Sequence, residues 1–310
     1  MDYAGKRVLI VGLARSGMAA AKALNSRGAR ILANDIKTEG QMKEEAEQLR
    51  ALGAELYLGI KPDELVEQVD LLVISPAVPI WSTFVQKALS LGKEVISEVE
   101  LAYRLCKAAI VAITGTNGKT TTTSLVGEIF KEAGKTTHVV GNIGTPFVGK
   151  VDEIGEKDIV VAEISSFQLE AVSQFHPKVC AILNITEDHM DRHKTMENYI
   201  NTKMRIFKNS TYNDWVVLNG DDPETVKLKE KTKAKVLFFS RKRTLEQGAW
   251  VEEGQVMVDV GQGKERVCDV DDIFIPGSHN LENALAATLM ARLMGVSPGS
   301  IASTLKTFRG

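Results

Sequence analysis

Ile113-Thr114-Gly115-Thr116-Asn117-Gly118-Lys119-Thr120-Thr121-Thr122 follows the apolar run at residues 108–112 and opens a segment of helical character. Strand, glycine turn and helix in that order make a phosphate-binding loop. Backbone N–H groups of the turn converge on phosphate oxygens and the helix N-terminus adds positive potential. Lys119 can reach the terminal phosphates, and Thr120 offers its hydroxyl to Mg²⁺. The match is G-x-x-G-K-T, because Ile113 stands where the longer G-x-x-x-x-G-K-T pattern has its first glycine. The strand-then-helix context separates this reading from a glycine turn that only caps a helix.

On both sides of the loop the chain alternates short aliphatic runs with amphipathic segments. Before it come KRVLIVG, ARILAND, AELYLG, DLLVISP and KEVISE, with EVELAYRLCK as a closing helix; after it come THVVG, KDIVVAEIS, PKVCAILNI and DWVVLNG. Continuous aliphatic runs are what parallel strands buried on both faces require, so the prediction is α/β. A Rossmann-like N-terminal domain is expected over residues 1–106, and a P-loop-type central α/β domain over 107–307. From about residue 234, KVLFFS, AWVEEG, QVMVDVG and DIFIPG predict a small antiparallel sheet. Two helices then follow, NLENALAATLMARLMG with Asn280 as its cap and Gly295 after it, and PGSIASTLKTF.

With 310 residues and 44% hydrophobic content the chain can bury two cores. A formal charge of −2 gives no global attraction to nucleic acid or an anionic membrane, so phosphate recognition must be local and the partners small molecules. Cys106, Cys180 and Cys268 are odd in number and form no C-x-x-C pair, which argues against a disulfide framework or zinc knuckle and for buried, reduced thiols. No apolar run reaches the roughly 20 residues of a membrane span, and the N-terminus does not read as a signal peptide. A cytoplasmic location is expected.

Gly12-Leu13-Ala14-Arg15-Ser16-Gly17 follows a strand and opens a helix, with Asp35 at the end of the next strand. This resembles a dinucleotide fingerprint whose middle glycine is Ala14, which weakens NAD binding and suits the diphosphate or uridine of a nucleotide-sugar. Ser75-Pro76-Ala77-Val78-Pro79 follows the run DLLVI and falls at a strand C-terminal end, where open α/β sheets bind ligands. Glu163 ends the run Ile159-Val160-Val161-Ala162 beside the phosphate loop, where an acid can share Mg²⁺ with Thr120 and phosphate oxygens. Asn184-Ile185-Thr186-Glu187-Asp188-His189-Met190-Asp191-Arg192-His193 is polar enough after a strand to be an active-site loop. It carries no zinc spacing, so His189 reads as a single ligand or orienting group and His193 as a surface residue. Lys203 reads as an exposed helix lysine.

The phosphate loop, Gly141-Asn142-Ile143-Gly144, Glu163-Ile164-Ser165-Ser166-Phe167-Gln168-Leu169, the NITEDHMDRH run and Gly277-Ser278-His279-Asn280-Leu281-Glu282-Asn283-Ala284 occur in one order in one chain. From about residue 6 to its end the sequence resembles the Mur ligases, and GLARSG, SPAVP, GNIG and SSFQL resemble the D-glutamate-adding branch. The resemblance implies a monomeric enzyme of peptidoglycan precursor synthesis that uses ATP to join D-glutamate to UDP-N-acetylmuramoyl-L-alanine through an acyl phosphate. It implies that Gly115, Thr116, Asn117, Gly118, Lys119, Thr120 and Thr121 hold the ATP phosphates, and Asn280 and Asn283 the adenine side. Thr120 and Glu163 would bind a first Mg²⁺; His189 and Lys203, the latter carbamylated by CO₂, would serve a second. Asn142 would contact the substrate or the transferring phosphate, so Lys119, Asn142, His189 and Lys203 are the implied catalytic set. Ser16, Asp35, Lys37, Ser75, Pro76 and Ser165 match substrate-binding positions, with Lys37 where an arginine is familiar.

The resemblance also implies a third domain that supplies D-glutamate contacts. The sequence stops about where its linker begins, at residues 308–310, so the chain by itself is expected to bind precursor but ligate poorly. Two other readings compete: an NAD-dependent oxidoreductase using GLARSG and Asp35, which leaves the phosphate loop unexplained, and a non-catalytic nucleotide-sugar-binding module.

Overall fold

A computed structural model describes residues 2–310. The chain forms two compact units: one made of the chain up to Lys107 with Thr145–Ile154 and Phe167–Phe175, the other of Ala108–Gly144, Gly155–Ser166 and His176–Gly310.

In the first unit the elements run β1 (Arg7–Val11), α1 (Arg15–Asn25), β2 (Arg30–Asp35), α2 (Lys43–Ala51), β3 (Glu55–Leu58), β4 (Leu71–Ile74), α3 (Thr83–Ser90), β5 (Glu94–Ser97) and α4 (Glu98–Leu105). The strands are all parallel in the order β3-β2-β1-β4-β5. That is the doubly wound arrangement expected. Val8, Leu9 and Ile10 of the central strand are fully buried; side chains of both alternations are covered, which is why the run carries no polar position.

Two carboxylates of α4 hold the returning segments of this unit. Glu98 accepts the Val148 N–H at 2.6 Å, and burial pushes its carboxyl up to about 7. Glu100 accepts the backbone N–H groups of Ser173, Gln174 and Phe175 at 2.9, 3.0 and 2.9 Å and pairs with Arg104 at 2.8 Å.

The second unit contains β6 (Ala109–Thr114), α5 (Lys119–Glu132), β7 (Thr137–Gly141), β8 (Ile159–Glu163), α6 (Ser166–Leu169, shared with the first unit), β9 (Val179–Ile182), α7 (Met190–His193), α8 (Met196–Met204), β10 (Trp215–Asn219), α9 (Pro223–Val226), β11 (Lys235–Ser240), β12 (Gly248–Glu252), β13 (Gln255–Asp259), β14 (Glu265–Asp269), α10 (Ser278–Leu293) and α11 (Pro298–Thr307). Its sheet has nine strands in the order β14-β13-β12-β11-β10-β9-β6-β8-β7. From β7 to β12 the pairings are parallel; only β12–β13 and β13–β14 are antiparallel.

Three sequence expectations change here. The antiparallel portion is an edge of the large sheet, and KVLFFS (β11) lies in its parallel part. The last strand is Glu265–Asp269, whereas DIFIPG follows it through a short 3₁₀ turn at Val270–Asp272. An edge strand can carry charges on its open side, so ERVCD lacks the aliphatic run that marks an interior strand. Third, α10 starts at Ser278 after Gly277 (φ 97°), so Asn280 lies in the first turn and is not the cap. Residues 283–291 of α10 are buried without a polar stripe. A helix apolar on every side is an interior helix, and this one packs with α5 and α11 against the sheet.

Candidate active site

β6 ends at Thr114 and α5 begins at Lys119, so the glycine turn occupies residues 115–118. Gly118 has φ +79°, and a Cβ there would lie 2.3 Å from Asn283 Oδ1. Only glycine fits both the left-handed backbone and the close approach of α10. The turn is clamped to the polar loop after β9. Thr116 Oγ1 donates to Thr186 O at 3.1 Å and accepts the Thr186 N–H at 3.0 Å; the Asn117 N–H donates to Asn184 Oδ1 at 2.8 Å, and Asn184 Nδ2 donates back to Asn117 O at 3.1 Å. The loop is thus fixed by side chains of the neighbouring strand end, as a preorganised anion cradle requires.

Two lysines converge on the same backbone. Lys119 Nζ donates to Gly115 O at 3.0 Å and Thr116 O at 2.7 Å. Lys203 Nζ, from α8, donates to Gly115 O at 2.8 Å and lies 4.6 Å from the Tyr199 ring centroid. Lys203 is only 1% exposed, which corrects the surface lysine read from its helix. Tyr199 and Lys203 share one face of α8 by their i, i+4 spacing, and that face turns inward. Burial first, and the Lys119 charge second, push the Lys203 amine down to about 7; Asp188 opposes this. Burial also lowers the Lys119 amine, opposed by Glu163 and Asp188.

Glu163 ends β8 with 1% exposure. Its Oε2 accepts the Thr120 hydroxyl at 2.9 Å and its Oε1 accepts Asn142 Nδ2 at 2.8 Å. The structure therefore joins Thr120, Glu163 and Asn142 in one set. A hydroxyl and a carboxylate are hard oxygen donors of the kind Mg²⁺ takes, and the adjoining backbone turn has room for no side chain at Gly118. Among the described residues no three His, Cys, Asp or Glu side chains cluster as a metal cage, so an ion here would complete its shell with phosphate oxygens and water. His189 sits in the left-handed region (φ 55°), is about half exposed and has its Nε2 3.4 Å from Asp188 Oδ2. A non-glycine residue in that region carries strain of roughly 1–3 kcal/mol.

His193, expected at the surface, is 5% exposed. Its Nε2 shares a hydrogen bond with Ser166 Oγ at 2.9 Å and its ring centroid lies 5.0 Å from that of Tyr199 at a tilt of 44°; the Tyr199 hydroxyl lies 3.2 Å from Thr116 Oγ1. This chain of contacts ties the segment after Glu163 to the helix of Lys203 and to the phosphate loop. Cys180 and Cys268 are buried as expected, but Cys106 is only half-buried.

A cleft of about 820 Å³ opens beside the loop, with Asn117, Gly118, Thr121, Asn280 and Asn283 in its wall. Asn280 Nδ2 donates to Pro276 O at 2.8 Å, and Asn283 Nδ2 donates to Asn280 Oδ1 at 3.3 Å. Asn219 and Glu282 also line it. Sequence reasoning passed over both, although Asn219 closes the aliphatic run of β10 as Glu163 closes that of β8.

The first unit has a separate pocket of about 560 Å³ whose wall includes Gly12, Asp35, Lys37 and Ser75. Gly12 has φ +88°, and a Cβ there would meet Ser75 Cβ at 2.7 Å. Asp35 Oδ2 accepts the Leu13 N–H at 2.8 Å and Oδ1 accepts the Lys37 N–H at 3.0 Å. Its carboxylate shapes the glycine turn, a task that competes with the ribose contact a dinucleotide site would demand. Ser16 is half-buried at the start of α1, Pro76 follows Ser75, and Ser165 lies in the other unit after Glu163.

The sequence profile of the Mur ligase middle domain matches residues 113–291, more than half of the chain. The chain belongs to the Mur ligase family. A second profile, that of the MurD-like N-terminal domain of Mur ligases, matches residues 6–97. The UDP-N-acetylmuramoylalanine–D-glutamate ligase of Caldanaerobacter subterraneus subsp. tengcongensis is 51% identical over 310 residues, which are 100% of this chain and 68% of that protein. The enzyme of the same name from Clostridioides difficile is 45% identical over 312 residues, 100% of this chain and 69% of that one. Among solved structures, the UDP-N-acetylmuramate:L-alanyl-gamma-D-glutamyl-meso-diaminopimelate ligase of Neisseria meningitides superposes with a TM-score of 0.64 at 21% identity over 99% of both chains, a likeness of fold. Mur ligases are ATP-dependent amide ligases, so the oxidoreductase reading falls away.

Proposed function

We propose that this Mur ligase chain serves the cytoplasmic ATP-dependent addition of D-glutamate to UDP-N-acetylmuramoyl-L-alanine in peptidoglycan synthesis. Half-identity along the whole chain to ligases of that name supports the substrate pair. The observation that carries the chemistry is the Glu163 carboxylate held between Thr120 and Asn142 beside the phosphate loop. Gly115 to Thr121 receive the triphosphate, Asn280 and Asn283 the adenine side, and the pocket of Asp35, Lys37 and Ser75, with Ser16 and Pro76, the uridine diphosphate. Ser165 contacts the muramoyl substrate. An oxygen of the L-alanyl carboxylate attacks the γ-phosphorus as the bond to the leaving ADP breaks. The D-glutamate amine then attacks the acyl carbon, phosphate departs and the amine loses its proton. Lys119 and the loop N–H groups hold the transferring charge, Asn142 orients the phosphoryl group, and exclusion of water protects the acyl phosphate.

Mg²⁺ supplies charge neutralisation; Thr120 and Glu163 would hold one ion, and His189 with carbamylated Lys203 a second. A lysine titrating near neutrality has the free amine that adds to CO₂, releasing one proton and leaving an anionic oxygen donor. The test is a thermal-shift titration with UDP-N-acetylmuramoyl-L-alanine, Mg·ATP and NADH in parallel. A ligand at a hundredfold excess over Kd stabilises by about 2.7 kcal/mol. Stabilisation by the first two and not by NADH is expected, and stabilisation by NADH alone would overturn the reading.

A further inference from the structure

We propose that Glu282 is the base-discriminating residue of the nucleotide cleft, selecting a purine that carries a 6-amino group over one that carries a 6-oxo group. The inference rests on the reading of residues 115–121 as the triphosphate site. From that loop, at the end of β6, the cleft runs past Leu183 and Asn184 after β9, Asn219 at the end of β10, and Phe239 in β11. Neighbouring strands lie about 4.8 Å apart, so the β10 end is roughly 10 Å from the loop and the β11 end roughly 14 Å. A purine whose phosphates occupy the glycine turn therefore falls over these strand ends, where Glu282 projects from α10.

The Glu282 side chain is 18% exposed, and its position is fixed from two sides. Oε1 accepts Arg241 Nε at 2.6 Å, and Oε2 lies 3.5 Å from Asn219 Nδ2. An ionised carboxylate only accepts hydrogen bonds, and its two oxygens have about four lone-pair sites, more than these two partners use. Adenine offers an N–H donor at C6, whereas guanine and hypoxanthine offer a carbonyl oxygen there. Approached from the C6/N7 edge of the ring, the donor pairs with Glu282, whereas the carbonyl would face it acceptor to acceptor, a buried mismatch that specificity sites exploit. A glutamine at 282 can turn its amide to suit either base. Arg241 neutralises the carboxylate, so the cleft tolerates it without a ligand cation.

The experiment is calorimetric titration of the 310-residue chain, wild type and Glu282→Gln, with Mg·ATP and Mg·ITP, which differ at C6 (amino against oxo) and in the proton that hypoxanthine carries on N1. Wild type is expected to bind Mg·ATP at least about tenfold more tightly, and E282Q to reduce that preference by about tenfold, chiefly by gaining Mg·ITP affinity. Glu282→Met is the second variant; it also removes the discrimination but gains no Mg·ITP affinity. A brace that serves only to hold Arg241 predicts equal weakening of both nucleotides, and that result, or an unchanged ratio in both variants, overturns the proposal. Failure of the wild-type chain to bind either nucleotide would overturn the reading of the phosphate loop instead.

Discussion

Lys203→Met should make folding stability less dependent on pH, and the size of the effect follows from where the amine sits. The Lys203 Nζ is buried against Gly115 O and near Lys119, and its pKa is lowered to about 7 from the ordinary 10.5. Above pH 10.5 the amine is neutral in both states and contributes no pH-dependent difference. Between about 7 and 10.5 the unfolded chain holds a proton that the folded chain has released, so stability rises with pH. Below about 7 both states are charged and the folded state bears the full cost of a buried ammonium. From pH 6 to pH 9 the folded chain crosses roughly two pH units of this window, and at 1.36 kcal/mol per unit Lys203 should contribute about 2–3 kcal/mol of rising stability. Urea denaturation of wild type and K203M, at several pH values in bicarbonate-free buffer, measures the difference directly. The variant should gain most at pH 6, and its advantage should shrink by about 2–3 kcal/mol by pH 9. Parallel pH profiles would refute the buried, depressed amine and with it the basis for CO₂ addition at neutral pH.

Gly118→Ala puts a Cβ 2.3 Å from Asn283 Oδ1 in a left-handed backbone; the backbone cost of about 1–2 kcal/mol and the disturbed Asn283 hydrogen bond should lower stability by roughly 2–3 kcal/mol in chemical denaturation and abolish the thermal shift with Mg·ATP. Unchanged nucleotide binding would mean that the turn is only a helix cap. Glu163→Gln keeps shape and both neighbours but removes charge, so the Mg²⁺ dependence of ATP binding should weaken by at least about tenfold while the fold persists; an identical Mg²⁺ titration would remove Glu163 from the metal set. Glu100→Ala strips the buried partner of Arg104 and the acceptor of three backbone N–H groups. Its cost should be about 3–5 kcal/mol in urea denaturation, and a loss under 1 kcal/mol would contradict the assignment.

What could be read from sequence, and what could not, divides along one physical line. Runs such as VLIV, IVVA and VCAI signal parallel strands because burial on both faces leaves no polar position, and Gly118 signals its turn because no other residue fits the backbone. These are local constraints. β14 was missed because an edge strand need be apolar on one side only, and Asn280 was misplaced because a residue of the first turn and a cap share the same chemistry. Lys203, His193 and Glu282 were hidden for a different reason. Each lies on a helix, and each is held in place by a partner distant in sequence: Gly115 for Lys203, Ser166 for His193, Arg241 for Glu282. Polar residues that end aliphatic strands, by contrast, are marked in sequence by the run before them. Glu163 was found by that signal; Asn219 carries the same signal two strands beyond β6 in the sheet order. The polar groups at the ends of β8 (Glu163), β6 (Thr114) and, across the intervening β9, β10 (Asn219) therefore form a row along one edge of the sheet. An extended nucleotide can lie across such a row, phosphates at one end and base at the other, without any strand having to bend.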